Sequence, residues 1–413
     1  MLRRSLCITK PQVSREKVPA RTVLVSPQKK KLLYLAVCDP DLEVTGATVR
    51  MGAFVKHLAA HYDITLLHMA GSGHSVDPDI EQRFQDHENT LGLSERIRVP
   101  FSRAGYFLFS STLYRHANRL LRFGSFDYLL PDYGLAGSYG ALLARRHQIP
   151  LIYSSHNVEY RLYFDRIRHD VRRALLVPHV YWAERWACKA AKLVVAISEN
   201  DRRTFRRWAS HERVALIPQG FDPESFNPFY ESPPHSPAVV LFVGNFRSYH
   251  NREAAHYIAN ELLRSVIRAR PDIRFQLIGA NPPPGLEGPN VECPGFVDNL
   301  VEYMRRANLI IAPMRTEQGM STKIITGLAL GKTVLSTPQG AGAIPQRYKQ
   351  LVISPLDGFP SRTIELLSRS QSVDSTDFVA LCEDFGWPSL TAELYRQIEE
   401  YCGQPSRGLK RSK

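Results

Sequence analysis

Short apolar runs recur along the chain, each bounded by polar or turn residues and separated by stretches of helical spacing. In the first half they span residues 32–38, 64–68, 128–130, 151–153, 193–197 and 214–217. Runs without polar alternation predict strands buried on both faces, as in a parallel sheet covered by helices. Between them, Met51, Val55 and Leu58 fall on one helical face after Gly46, and Val180, Trp182 and Trp186 mark another helix. The pattern breaks at Gln219-Gly220-Phe221-Asp222-Pro223, and five prolines between 223 and 237 exclude a helix or central strand there. It then restarts, with strands predicted over 239–243, 274–278, 309–312, 334–336 and 351–353. A helix from about Glu253 points Ile258, Leu262 and Val266 inward, and others are predicted over 299–307 and 322–330. A last helix, 389–401, follows the apolar turn Phe385-Gly386-Trp387-Pro388.

Strand–helix alternation on this scale predicts an α/β protein: two Rossmann-like, doubly wound parallel-sheet domains facing a central cleft, with a C-terminal helix. The expected organisation is a basic disordered tail (1–31), an N-terminal domain (32–225), a Pro-rich linker (226–237), a C-terminal domain (238–380), a helical segment (381–403) and a basic tail (404–413). Ligands in such sheets bind outside the carboxyl ends of the strands, so both halves should present loops to the cleft.

A length of 413 residues suits two domains, and 44% hydrophobic with 23% charged residues excludes extensive disorder or a multi-span membrane protein. The longest apolar stretches are strand-sized, against the ~20 residues of a spanning helix. No apolar run follows Arg3-Arg4, so no secretion signal is predicted. Cys7, Cys38, Cys188, Cys293, Cys382 and Cys402 are scattered, implying a reduced, cytoplasmic setting without structural zinc. The net charge of +13 sits at the ends: residues 1–31 carry +8 and 404–413 carry +4, which leaves +1 for the body. Such tails are either simply solvated or weakly drawn to an anionic membrane surface. With a near-neutral body and no binding module, nucleic acid is not an expected partner.

The second half carries a more specific signal. Leu241-Phe242-Val243-Gly244-Asn245 leads to His250-Asn251, then to Gln276-Leu277-Ile278-Gly279 and Pro294-Gly295-Phe296-Val297-Asp298-Asn299. Ile311-Ala312-Pro313-Met314-Arg315 precedes Gln318-Gly319-Met320-Ser321-Thr322-Lys323-Ile324-Ile325, and Leu330-Gly331-Lys332-Thr333-Val334 closes the run. In the first half stand Ser155-His156-Asn157-Val158-Glu159, Trp182 to Trp186 around Glu184, Ala196-Ile197-Ser198-Glu199-Asn200 and Ile217-Pro218-Gln219-Gly220-Phe221-Asp222. This ordered set, over roughly residues 32–402, resembles the retaining glycosyltransferases of family 4, which have the GT-B fold.

The resemblance implies a hexosyltransferase that takes a nucleotide diphosphate sugar as donor and a glycan or lipid-linked molecule as acceptor, in cell-surface polysaccharide synthesis. No metal and no further cofactor are expected, because fixed cations and helix-start amides can stabilise a leaving pyrophosphate. Lys323 matches the family's donor-loop lysine. The alternative is a solvated lysine near a helix start, a position that disfavours a cation. Gly319, Met320, Ser321 and Thr322 would turn amides toward the phosphates, with Ser321 also read as a helix cap, and Gln318 and Thr326 would also fall on the donor side. Gly244 and Asn245 would let backbone approach the nucleotide, although Gly244 also reads as a strand-ending turn glycine. Arg247 could add a second cation, and Arg315 competes for that role. Gly46 stands where the family places a glycine-rich loop, and His156 resembles its sugar-contacting histidine, with Lys323 the other expected catalytic group. Glu159 and Arg161 fall on the acceptor side.

One departure concerns the two glutamates, eight positions apart, that many relatives carry in the donor loop. Those positions are Gln318 and Thr326 here, and a threonine hydroxyl accepts at best one ribose hydrogen bond. A non-catalytic GT-B binding or scaffold subunit is therefore the competing reading, and a nucleotide-sugar epimerase a third. Tyr106-Phe107-Leu108-Phe109 with Arg115, His116, Arg119 and Arg122, and the arginines 161, 166, 168, 172 and 173 beside Leu162, Tyr163 and Phe164, suit either peripheral contact with the inner face of the cell membrane or helices with inward aromatics and solvated arginines.

Overall fold

The computed structural model describes residues 29–37, 46–69, 95–99, 111–165, 174–226, 237–316, 320–342, 344–368 and 375–403. Most of both basic tails, the 227–236 part of the linker, Tyr106 to Phe109 and Arg166 to Arg173 lie outside the described residues. The chain builds two all-parallel sheets. The first has the order β3-β2-β1-β4-β5-β6-β7. Its strands are β1 (Lys30–Ala36), β2 (Tyr62–Met69), β3 (Glu95–Val99), β4 (Tyr128–Asp132), β5 (Ile152–Ser154), β6 (Leu193–Ala196) and β7 (Val214–Leu216). The second runs β10-β9-β8-β11-β12-β13. It comprises β8 (Val239–Val243), β9 (Arg274–Ile278), β10 (Val291–Gly295), β11 (Leu309–Ala312), β12 (Val334–Ser336) and β13 (Leu351–Ile353). In both sheets the order reverses beside the first strand, the switch point at which α/β proteins bind ligands.

β1 already begins at Lys30, so the sheet takes two residues expected in the tail. The edge strands β3 and β10 were not predicted. Glu95-Arg96-Ile97-Arg98-Val99 alternates charge with apolar residues and β10 contains Pro294, both tolerated at an edge where one side of the backbone is unpaired.

The helices of the first lobe are α1 (Gly46–Leu58), α2 (Ser111–Phe123), α3 (Gly134–His147), α4 (Glu159–Asp165), α5 (Val177–Ala190) and α6 (Glu199–Phe205). Those of the second are α7 (Tyr249–Tyr257), continued by a π-helical turn into α8 (Leu263–Val266), then α9 (Leu300–Arg306), α10 (Thr322–Ala329), α11 (Pro338–Ala341), α12 (Phe359–Leu367) and α13 (Ser375–Phe385). The last helix, α14 (Trp387–Cys402), crosses back to the first lobe. There Trp387, Leu390, Leu394 and Ile398 bury against Leu32, Tyr34, Phe54 and Leu130, on the sheet face that α1 also covers. Each such side chain contributes roughly 1.5–3 kcal/mol by leaving water. The opposite face packs on α2, α3 and α5 through Leu113, Ala117, Tyr139 and Ala187.

The crossing is tied to the outgoing strand of chain: Phe221 N–H donates to Phe385 O and Trp387 N–H to Phe221 O, both at 2.9 Å. Lys30 pairs with Glu399, whose other carboxylate oxygen accepts from Tyr62 at 2.8 Å, fastening α14 to β1 and β2. Among the described residues no helix is long and apolar enough to cross a membrane.

Candidate functional site

A cleft of about 640 Å³ opens between the lobes. Gly46 and Val49 of α1 line it on one side; Gly244, Asn245, Asn251, Met320, Ser321, Thr322, Lys323 and Thr326 line it on the other. Phe221, Asp222 and Trp387 contribute at the junction. The lobes approach closely at Gly46, where an added Cβ would come within 3.3 Å of Thr322 Oγ1. Because Gly46 is the first residue of α1 and Thr322 the first of α10, two positive helix ends meet at the cleft. Converging helix N-termini favour an anion between them. Ser321 occupies the N-cap position of α10, but its side chain makes no capping bond.

Lys323 stands one residue further into α10. Its ammonium donates to Asn251 Oδ1 at 3.1 Å, lies 4.8 Å from the Phe242 ring centroid and 3.9 Å from Met314 Sδ. None of these neighbours is a carboxylate, and burial pushes the lysine down to about 8. A partly buried ammonium without a matching anion suits a cationic seat for a charged ligand. Gly244 makes room for this arrangement: a Cβ there would sit 2.6 Å from Asn251 Cγ. Asn251 in turn donates to Asn245 O at 2.9 Å, so the turn after β8, the start of α7 and the start of α10 are joined through one amide. Thr316 is pinned at the cleft by a 2.6 Å contact with His250 Nδ1.

Two other predicted donor-side cations, Arg247 and Arg315, are not gathered here. Arg247 is exposed and lies outside the cleft lining, with its backbone N–H on Asn245 Oδ1 at 3.0 Å. Arg315 lies 3.8 Å from Glu253 and 3.6 Å from Glu261, so its charge is already matched. Gln318 and Gly319 fall outside the described residues. Among the described residues no cluster of three or more His, Cys, Asp or Glu could hold a metal ion.

His156, Glu159 and Arg161 belong to a second cluster, at the carboxyl ends of β4 and β5. His156 is buried, with Nε2 2.9 Å from Asp132 Oδ1. Burial alone would raise the Asp132 carboxyl, but His156, Ser154 and the Arg50 charge outweigh it and hold it below its usual range. Arg50, itself buried and lowered by that burial to about 10, donates at 2.7 Å to the carbonyls of Ile217 and Pro218, where the chain leaves the first lobe. Tyr133, between Asp132 and α3, holds φ at 86°, a left-handed strain of about 1–3 kcal/mol, with its ring 5.6 Å from that of His156. Such strain persists where surrounding structure fixes it and clusters at functional sites.

Glu184 of α5 anchors the segment after His156. Its two oxygens accept the backbone N–H groups of Glu159 (2.8 Å) and Tyr160 (2.9 Å), filling the start of α4. Burial and then the neighbouring Glu159 carboxyl push Glu184 well up. Glu159 packs over Gly134, where a Cβ would meet its Cγ at 2.4 Å, and Arg161 is exposed. Sequence reasoning missed Asp132 and gave Asn251 and Glu184 no role. Asp132 ends an apolar strand, which is a signal; the roles of the other two depend on contacts between distant segments.

Comparison with known proteins places the chain. Residues 44–225 match the model described as Glycosyltransferase Family 4, and residues 237–369 match Glycosyl transferases group 1. Together they account for about three quarters of the sequence, and the chain belongs to the family 4 glycosyltransferases with the GT-B fold. Among solved structures, Anabaena HepE in complex with UDP is 15% identical with a TM-score of 0.65, over 90% of this chain and 100% of that one. Sucrose-phosphate synthase from Thermosynechococcus elongatus is 17% identical with a TM-score of 0.66, over 90% and 100%. The lipopolysaccharide outer core galactosyltransferase WaaB is 11% identical with a TM-score of 0.61, over 90% and 99%. At these identities the likeness is one of fold. No curated protein matches the sequence.

Proposed function

We propose that this glycosyltransferase moves a hexose from a nucleotide diphosphate sugar to a glycan or lipid-linked acceptor, with retention of anomeric configuration, in cell-surface polysaccharide synthesis. The observation that carries the reading is Lys323, an ammonium with no carboxylate neighbour among the described residues, at the meeting point of two helix starts. In the reaction the bond between the anomeric carbon and the β-phosphate oxygen breaks, and the acceptor oxygen bonds to that carbon. The acceptor proton passes to the departing phosphate, so no side chain is required as general base. Charge grows on the pyrophosphate as the bond breaks, and Lys323 with the amides of α10 would stabilise it without a metal. The complexes of HepE with UDP and with UDP-glucose support a uridine nucleotide as the first donor to test.

His156 would face the donor sugar from the first lobe, its ring oriented by Asp132 and its loop held by Glu184. Thr326, which lines the cleft at a position where many relatives have glutamate, favours the second reading of a non-catalytic subunit. Calorimetric titration with UDP and GDP, followed by assay of nucleoside diphosphate release from UDP- and GDP-hexoses, separates the two. Binding and release establish the transferase; absence of binding at millimolar nucleotide establishes the subunit.

A further inference from the structure

The helix marked in the sequence by Val180, Trp182 and Trp186 forms as α5, but its faces differ from a simple inward aromatic pattern. Val180, Ala183, Ala187 and Cys188 are buried, whereas Trp182 is 63% exposed and Trp186 38%. Leu175, in the turn that leads into the helix, is 83% exposed, and Phe164 on α4 is 63% exposed. These four are among only nine exposed large apolar side chains in the described residues, so nearly half collect on one pair of helices. Spacings of seven residues from Leu175 to Trp182 and four to Trp186 set the three along one stripe of α5 and its entry turn. Tyr160 and Tyr181 pack edge to face with ring centroids 5.2 Å apart, joining α4 to α5, and Phe164 lies one turn beyond Tyr160.

The polar groups along this stripe carry one sign. Between Leu175 and Ala190 the only acid is Glu184, which is buried against the amides of α4. Arg185 lies 5.6 Å from the Trp182 ring and Lys189 is exposed one turn beyond, so the surface offers apolar rings with cations at their edge. An exposed tryptophan pair loses water favourably, and indole rings settle at the boundary between headgroups and acyl chains. The cations suit anionic headgroups, and the one acid between Leu175 and Ala190 is buried, so this stretch does not repel them.

We propose that the outer face of α5, with Leu175, Trp182 and Trp186 backed by Phe164 of α4, docks the protein on an anionic membrane surface. The contact does not depend on the donor site being active. It is fastened to the first lobe's inner cluster through Glu184, because the helix that carries the tryptophans also holds the segment after His156. Docking there would bring the acceptor side of the cleft to a lipid-linked molecule while the donor lobe stays in water.

The test uses the full chain and vesicles of equimolar phosphatidylcholine and phosphatidylglycerol, with pure phosphatidylcholine for comparison. The protein should co-sediment with the anionic vesicles, and Trp182→Ser/Trp186→Ser should weaken this about tenfold or more while its melting temperature and nucleotide binding stay the same. Without any substitution, brominated phosphatidylcholine in the anionic vesicles should quench part of the native tryptophan fluorescence, since Trp387 is buried in the core. Equal vesicle binding by the double variant, or no quenching, would overturn the proposal and move any lipid affinity to the basic ends. A dimer that the double substitution converts to monomer, with no vesicle binding by either form, would also overturn it and assign the face to a second copy. Loss of nucleotide binding in both proteins counts against the transferase reading and leaves this one standing.

Discussion

Replacing Lys323 by methionine keeps most of the side-chain volume and removes the ammonium, and its consequences for stability and function should run in opposite directions. Burial holds the native lysine near about 8 against 10.5 in its ordinary state. Between those pH values the unfolded chain binds more protons than the native one, so native stability rises with pH there. Below about pH 8 the full cost of burying the ammonium is present, equivalent to about 3 kcal/mol from the shift. The bond to Asn251 offsets about 1 kcal/mol of this. At pH 7, Lys323→Met should therefore be more stable than the native protein by about 2 kcal/mol, and this advantage should shrink as pH rises above 8 and be gone before pH 10.5, where only the lost bond to Asn251 counts. The same variant should lose nucleoside diphosphate affinity by about 30-fold or more, since a desolvated charge partner is worth 2–5 kcal/mol. Native affinity should itself fall as pH rises through about 8, where the free lysine deprotonates. Urea unfolding at pH 7, 9 and 10.5 and calorimetry with UDP measure all of this. A destabilised variant with unchanged nucleotide affinity would refute the reasoning, because Lys323 would then be a structural residue facing away from any ligand.

Three further substitutions probe the surroundings. Gly244→Ala puts a Cβ 2.6 Å from Asn251 Cγ, so it should displace Asn251 and with it Lys323, lowering nucleotide affinity at near-normal secondary structure by circular dichroism. Thr326→Glu should raise UDP affinity by about tenfold through a charge-assisted ribose contact, and the gain should be absent for a 2′,3′-dideoxy analogue. Asp132→Asn should cost about 3 kcal/mol at neutral pH by stranding buried Arg50 and His156. Because the native Asp132 carboxyl is depressed, its stabilisation is present above the ordinary carboxylate range and lost as pH falls through its native value. The variant's acid unfolding curve should accordingly be shallower.

The central strands were legible because burial on both faces leaves an unbroken apolar run, as in β1, β8 and β11. The edge strands β3 and β10 were not, since Arg96, Arg98 and Pro294 follow from having one side unpaired, whereas the opposite edges β7 and β13 kept their apolar runs. The helix α5 was legible, but the direction of its stripe was not: apolar spacing identifies a helix face without saying whether that face meets protein or solvent. In the cleft, Gly46, Gly244 and Lys323 could be placed from the ends of strands and the starts of helices. The contact that sets the Lys323 ammonium could not, because Asn251 reaches it only through the space left by a glycine seven residues earlier.

The return of α14 to the first lobe gives the molecule a two-ply waist. One ply runs outward at Phe221 and the other inward at Phe385 to Trp387, and the reciprocal hydrogen bonds stitch them side by side. Such a seam can flex open and shut about its own line but resists corkscrew rotation. Any clamping of the lobes on a ligand should thus follow a single arc, carrying the two helix mouths toward each other rather than past each other.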